Sequence, residues 1–240
     1  MEQALVVENL KKSYGKFEAL HGISFEVAPG EIFALIGPNG AGKTTTLRIV
    51  ATILQPTSGT ARVYGMDVQK DAARIREVIS YLPEEAGAYK NLTGLGYLSF
   101  MAELFASDVT VQREYIQRAS DITWLGERLR YRIGTYSKGM TRKLLLSRAV
   151  MTHPKLAIID EQTSGLDVVA AIDIRESIRR TAADGGHCPC LWHGCPERRC
   201  PDTRGHQLPA RRGRCLQESD GSWLPELHGR IVCFRYRRPA

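Results

Sequence analysis

Two residue types are missing from large parts of this 240-residue chain. No cysteine precedes Cys188, and no lysine follows Lys155, although ten arginines lie after Gly186. The absence of cysteine from the first 186 residues excludes a disulfide framework there and is typical of a protein from a reducing cytosol. Composition therefore divides the chain into a first part, residues 1–186, and a tail rich in arginine, cysteine and proline, residues 187–240.

The chain also has no apolar run long enough to cross a bilayer, and no signal peptide is recognisable at its start. We therefore expect a cytoplasmic protein, unless a partner holds it to a membrane. The net charge of +7 is compatible with nucleic acid, with an acidic surface or with neither as a partner.

One segment matches the phosphate-loop pattern G-x-x-x-x-G-K-[ST] at every fixed position. It consists of Gly37, Pro38, Asn39, Gly40, Ala41, Gly42, Lys43, Thr44 and Thr45. An apolar run over 32–36 predicts a strand before it, and a helical pattern follows over 45–50. An ordinary glycine-rich turn would explain the glycines but not the Lys-Thr pair. We expect backbone N–H groups and the helix N-terminus to bind phosphates, Lys43 to reach the β- and γ-phosphates, and Thr44 to hold Mg²⁺.

Two carboxylates, Asp160 and Glu161, follow the apolar run over 156–159. Such a run predicts a buried parallel strand that delivers its acids to the sheet edge where a phosphate loop also lies. We therefore predict that Asp160 binds Mg²⁺ and that Glu161 polarises the attacking water. Without the phosphate loop, the pair would be interpreted as a solvated acidic turn.

Hydrophobic periodicity predicts the remaining elements. Strands are predicted over 4–10, 22–27, 57–65 and 79–82, and helices over 71–78, most of 91–124, 142–151 and 168–183. Residues 136–140 interrupt the helical pattern before the third of these helices.

The first part resembles the nucleotide-binding subunit of an ATP-binding cassette (ABC) transporter, because several motifs agree in order and spacing. The phosphate loop matches Walker A, residues 156–161 match Walker B with its catalytic glutamate, and residues 164–167 match the D-loop. Residues 136–140 stand where the family signature Leu-Ser-Gly-Gly-Gln belongs. Tyr14 matches the aromatic residue that stacks on adenine, although it could equally be a surface tyrosine at a strand end.

The resemblance implies an α/β fold of the P-loop NTPase, ABC ATPase type. This fold has a mostly parallel core sheet with flanking helices, an N-terminal antiparallel β subdomain and a helical signature subdomain, here over about 88–152. The ATP-binding domain would occupy residues 1–186, and the tail would be irregular. The sequence around 83–85 and 91–93 looks most like ATPases of the ABC-2 export group, which pair with a separate permease.

The resemblance also implies ATP and Mg²⁺ as ligands, with Lys43 and Glu161 as catalytic residues. Ser137 and Gly139 of a partner subunit would contact the γ-phosphate, so that two ATP molecules are buried in a homodimer or a paired ATPase subunit. Hydrolysis would open this dimer and drive a transmembrane permease, with the protein peripheral on the inner face of the cell membrane. Alternatives are a soluble ABC ATPase acting on nucleic acid or ribosomes, and a nucleotide-binding module without turnover.

Several residues depart from the family pattern. Lys138 and Met140 replace glycine and glutamine of the signature, and Glu84 stands where a glutamine that contacts the metal or its water is usual. Gln162 replaces a proline after the catalytic glutamate, which removes a backbone restraint.

The tail, residues 187–240, departs most from the family pattern. Where the family has an apolar strand ending in a histidine, residues 187–193 contain Pro189, which cannot donate to a strand ladder. Codons read one nucleotide further on are compatible with Thr-Val-Leu-Val-Ser, so we hypothesise a frameshift near Gly186. Zinc binding by the histidines and cysteines, or nucleic-acid binding by the arginines, are alternatives for the tail. His193 has the spacing of the family histidine, but it lacks the strand that would position it.

Overall fold

The computed structural model describes residues 3–160 and 232–234. The strands in these residues are β1 (Leu5–Tyr14), β2 (Phe17–Val27), β3 (Ser58–Val63), β4 (Met66–Asp67), β5 (Ile79–Leu82), β6 (Leu156–Ile159) and β7 (Val232–Phe234). The α-helices are α1 (Lys43–Val50), α2 (Ala72–Val78), α3 (Gly94–Phe105), α4 (Val109–Thr123) and α5 (Lys138–Val150). Two 3-10 turns, Gly126–Arg130 and Ile133–Thr135, connect α4 to α5.

The strands form two sheets. The first is antiparallel with the order β2-β1-β3-β4, and it confirms the antiparallel N-terminal sheet that the family resemblance implies. In the second sheet, β6 pairs in parallel with β5 and antiparallel with β7. The strands predicted over 4–10, 22–27, 57–65, 79–82 and 156–159 are all present.

The predicted strand over 32–36 is wrong for the described part of the molecule. No backbone hydrogen bond joins these residues to a described strand. Phe33 is buried and stacks on Phe25 with ring centroids 5.0 Å apart, whereas Ala34 and Ile36 are exposed. An apolar run indicates burial, but it does not provide a neighbouring strand. A β-strand forms only where a neighbour pairs with its backbone N–H and C=O groups.

Polar side chains fix where the helices of the second half begin. Thr93 caps α3 by accepting from the Gly96 N–H, and Ser137 caps α5 by accepting from the Met140 N–H. The helices predicted over 91–124 are therefore present as α3 and α4. The predicted helix over 142–151 is present as α5, but it begins earlier, at Lys138, because the Ser137 cap starts it there.

Strand β6 lies between two hydrophobic cores. Leu156 and Ile158 pack with β1, β3 and α1 in the first core, while Ala157 and Ile159 pack with the second core, which contains α3 and α5. This alternation follows from the two-residue period of a strand. With all four side chains buried, β6 holds the residue that follows it, Asp160, in a fixed position.

Several predictions concern residues outside the described part of the chain. They include the roles of Glu161 and His193, the D-loop over 164–167 and the helix over 168–183. In the tail, Val232–Phe234 forms β7, a strand that the sequence did not indicate. No helix in the described ranges combines the length and the apolar character that crossing a bilayer requires.

Candidate functional site

The phosphate loop depends on two glycines with left-handed backbone. Gly40 has φ 85° and Gly42 has φ 78°, a region that disfavours other residues. A Cβ on Gly42 would also collide with the Leu20 side chain and lie 2.6 Å from the carbonyl oxygen of Ala19, both in β2. A Cβ on Gly40 would meet nothing within 4 Å. Gly42 therefore provides both the turn and the close approach of the loop to β2.

The loop leads directly into the N-terminus of α1. No side chain caps this end, and no acidic residue stands in the first turn. The first intrahelical hydrogen bond runs from the Thr46 N–H to the Gly42 carbonyl, at 2.9 Å, so the preceding N–H groups have no carbonyl partner within the helix. The helix end can therefore offer donors and partial positive charge to an anion.

Lys43 brings a full positive charge into this loop. Its side chain is only 7% exposed, and Nζ donates to the carbonyl oxygens of Gly37 and Pro38, each at 2.9 Å. The ammonium therefore lies against the loop backbone rather than in solvent. Phosphate oxygens bound to the loop would form strong, charge-assisted hydrogen bonds with it.

Gly42→Ala tests the geometry of the loop. We expect a loss of about 2 kcal/mol or more in the free energy of unfolding, because left-handed strain and the contact with Ala19 add together. Gly40→Ala is the matched control, since it carries the backbone strain without the collision. Chemical denaturation of both variants measures the difference, and equal destabilisation by the two would contradict the close packing described for Gly42.

The two predicted metal ligands lie together at the end of β6. Asp160 is 1% exposed, and its N–H donates to the Leu82 carbonyl oxygen at 2.9 Å, which extends the parallel pairing with β5 by one bond. Its Oδ1 atom is 3.4 Å from Oγ1 of Thr44, the residue after Lys43. The structure thus brings the carboxylate to the phosphate loop, as the strand pattern predicts.

The donor set at this edge fits Mg²⁺. Magnesium prefers oxygen ligands and usually keeps one or two protein carboxylates together with substrate phosphates and water. The Thr44 hydroxyl and the buried Asp160 carboxylate are such ligands. No cluster of three or more His, Cys, Asp or Glu side chains occurs among the described residues, so a metal enclosed by protein ligands alone is not indicated there.

Two residues that sequence reasoning missed also lie at this edge. The Tyr81 hydroxyl is 3.5 Å from Asp160 Oδ2. Burial raises the pKa of Tyr81, the Arg48 side chain opposes that change, and the Asp160 charge adds to it. The available signal was the position of Tyr81 in β5, where it pairs with Ile158, two residues before the predicted metal ligand.

The predicted adenine contact, Tyr14, is the last residue of β1. Its side chain is 48% exposed, and Lys12 Nζ lies 5.3 Å from the ring centroid. The aromatic ring is thus accessible at the tip of the β1–β2 hairpin, where Phe17 pairs with it.

The remaining predicted residues lie at the start of α5 and after β5. Ser137 is exposed at the start of α5, whereas Gly139, in its first turn, is buried. Helix α5 packs in the second core and α1 in the first. Glu84 follows β5 and is half-buried, and burial lowers the pKa of Arg142 on α5 while the Glu84 charge opposes that change.

Comparisons with a family model and with known sequences indicate the same family. The model of the ABC transporter family matches residues 20–164. The linearmycin resistance ATP-binding protein of Bacillus subtilis is 34% identical over 181 residues, 75% of this chain and 58% of that relative. The bacitracin transport ATP-binding protein of Enterococcus faecalis is 32% identical over 186 residues, 78% of this chain and 59% of that relative. The chain thus spans less than two thirds of the length of these relatives.

Solved structures agree with the sequences. An ATP-binding subunit of an ABC transporter is 31% identical, with 75% of each chain covered and a TM-score of 0.62. A dimeric, post-hydrolysis ATP-binding cassette bound to ADP and phosphate is 21% identical, covers 76% of this chain and 84% of its own, and has a TM-score of 0.65, which is a likeness of fold. With its phosphate loop beside the acid that ends β6, the chain therefore belongs to the ABC transporter family and has the P-loop NTPase fold of ABC ATPases.

Proposed function

We propose that this chain is the ATP-hydrolysing motor subunit of an ABC exporter, which dimerises around two ATP molecules and drives a separate membrane permease. The observation that carries this proposal is the 3.4 Å contact between Thr44 and Asp160 beside the Lys43 ammonium. The names of the two relatives, which refer to linearmycin resistance and bacitracin transport, support the choice of an exporter.

The residues divide the chemistry of phosphoryl transfer between them. Lys43 and the N-terminus of α1 bind the phosphates and neutralise charge that develops on them. Thr44 and Asp160 hold Mg²⁺, which supplies further charge neutralisation when it is bound. Glu161, one residue beyond the described part, orients and deprotonates the attacking water.

The dimer is proposed to form when the signature helix of one copy meets the ATP of another. Ser137 and the N-terminus of α5 would supply the contacts to the γ-phosphate. The exposure of Ser137 supports this role. Loss of the γ-phosphate on hydrolysis would remove the contact and allow the dimer to open.

The permease is proposed to contact the helical half of the chain, with the protein on the inner face of the membrane. Large apolar side chains are exposed there on and beside α3: Tyr89, Phe100, Leu104 and Phe105. The rings of Tyr89 and Phe100 pack edge to face with centroids 5.8 Å apart. Clustered exposed apolar side chains are typical of interaction surfaces, so this face is a suitable contact for a permease helix.

A nucleotide-binding module with weak or no turnover is the second candidate. The tail contains Pro189, which cannot donate to a strand ladder, where the family has a core strand. A core sheet without that strand would position the loop and the catalytic water less firmly. We therefore propose that ATP binding is partly retained while hydrolysis is impaired.

Separate measurements of ATP affinity and ATP turnover on the full chain distinguish the two candidates. Lys43→Ala should reduce both quantities, whereas Glu161→Gln should reduce turnover and leave affinity near that of the parent. If the parent hydrolyses ATP and Glu161→Gln abolishes that hydrolysis, the result favours the motor subunit. Saturable ATP binding with turnover no higher than in Glu161→Gln would favour the module, and no binding at all would contradict both.

Tyr14→Ala tests the proposed adenine contact. Stacking of a base on an aromatic side chain contributes about 1–3 kcal/mol, so ATP affinity should fall about tenfold or more. Inorganic triphosphate, which has no base, should bind the variant and the parent equally. Phe17→Ala, at the paired and more exposed position of the hairpin, is the control. Equal weakening of both ligands by Tyr14→Ala would contradict a base contact.

A further inference from the structure

The two oxygens of the Asp160 carboxylate have different neighbours. Oδ1 is 3.4 Å from the Thr44 hydroxyl on α1, and Oδ2 is 3.5 Å from the Tyr81 hydroxyl on β5. Three elements therefore meet at one buried carboxylate: α1, β5 and the end of β6. Mg²⁺ held by Thr44 and Asp160 would lie on the Oδ1 side of this carboxylate, and the phenol is a neighbour of Oδ2.

The contact between Tyr81 and Asp160 has one chemically possible direction. A carboxylate can only accept a hydrogen bond, so the phenol is the donor and Oδ2 is the acceptor.

We propose that Tyr81 is a positioning residue for Asp160: its phenol donates to Oδ2 and helps to hold the carboxylate with Oδ1 beside Thr44, where Mg²⁺ would bind. This inference rests on the proposed function, since it concerns the magnesium of the nucleotide site.

A held carboxylate suits magnesium in particular. Mg²⁺ requires near-ideal octahedral geometry, whereas Ca²⁺ accepts irregular and bidentate carboxylates. Without the bond from the phenol, the carboxylate would be held less firmly and could more readily offer both oxygens to the cation. The loss should therefore be larger for Mg²⁺ than for Ca²⁺, and removal of such an outer partner typically lowers metal affinity about 10–100-fold.

The test is a titration of the full chain with Mg²⁺, and separately with Ca²⁺, in the presence of a fluorescent, non-hydrolysable ATP analogue. Tyr81→Phe keeps the ring and removes the hydroxyl. Tyr64→Phe is the matched control, because its hydroxyl donates to the Lys155 carbonyl oxygen at 3.0 Å, away from Asp160. Analogue affinity in EDTA and thermal unfolding are measured for each variant.

For Tyr81→Phe we expect apparent Mg²⁺ affinity to fall about tenfold, with a smaller fall for Ca²⁺ and unchanged analogue binding in EDTA. Tyr64→Phe should match the parent. Unchanged Mg²⁺ affinity in Tyr81→Phe, or equal losses for both metals, would overturn the inference while leaving the proposed nucleotide site intact. A parent chain without metal-dependent binding would overturn both.

Discussion

Lys43→Ala is expected to weaken ATP binding about a hundredfold. The ammonium is buried against the phosphate loop, and truncating a buried charge that pairs with an opposite charge costs about 2–5 kcal/mol, where 1.4 kcal/mol is tenfold in affinity. The variant also removes the donor to the carbonyl oxygens of Gly37 and Pro38, which holds the loop in shape. Equilibrium titration with ATP in the presence of Mg²⁺ measures the effect.

Lys70→Ala is the control for this variant, since Lys70 is an exposed lysine after β4. It removes the same charge from the chain but not from the loop, so its ATP affinity should equal that of the parent. Similar affinities for Lys43→Ala and Lys70→Ala would mean that the loop does not bind phosphate, and the proposed function would then be wrong.

Asp160→Asn is expected to weaken ATP binding when Mg²⁺ is present but not when it is absent. With Mg²⁺ present, loss of the carboxylate should lower affinity about 10–100-fold, because the metal loses a charged ligand. In EDTA the variant should bind ATP as well as the parent or better, because a negative charge beside the phosphate loop has been removed. Parallel titrations with and without Mg²⁺ measure this crossover.

Asp121→Asn is the control for that crossover. Asp121 is exposed on α4 and accepts a hydrogen bond from Gln117 at 2.9 Å, so its substitution changes the net charge equally without touching the site. It should follow the parent in both conditions. If Asp160→Asn weakened ATP binding equally with and without Mg²⁺, the carboxylate would support the fold of the loop rather than a metal.

The centre of the site was predictable because each of its two parts is a motif of consecutive residues. The loop from Gly37 to Thr45 specifies a phosphate cradle through its fixed glycines, lysine and threonine. The apolar run of β6 specifies a buried strand that ends in an acid. Parallel topology then brings Asp160 to the loop, and the pair is 3.4 Å apart although 116 residues separate Thr44 from Asp160.

Contacts between distant residues could not be predicted in the same way. The approach of Tyr81 to Asp160 depends on the register of β5 against β6, which no local sequence pattern specifies. The segment over 32–36 shows the converse case, in which the local pattern is clear but the predicted strand is not present. Its sequence specifies an apolar strand, but hydrogen bonds to a neighbour decide whether a strand forms, and no described residue supplies them.

The tail remains the largest departure from the family, and we propose that it results from a shifted reading frame near Gly186. The change in composition and the prolines after that point support this origin. Resequencing the gene tests it directly: an additional or missing nucleotide near this codon is expected. An intact frame, with close relatives carrying the same tail, would overturn the proposal.

The most direct measurement is the affinity of the purified full chain for ATP, determined with Mg²⁺ and with EDTA, for the parent and for Lys43→Ala side by side. A phosphate loop beside a metal-binding carboxylate predicts saturable binding of ATP that Mg²⁺ strengthens and that Lys43→Ala strongly weakens. A parent chain that binds no ATP, or whose ATP affinity changes neither with Mg²⁺ nor with the Lys43→Ala substitution, would contradict the nucleotide site. Every proposed role depends on that site.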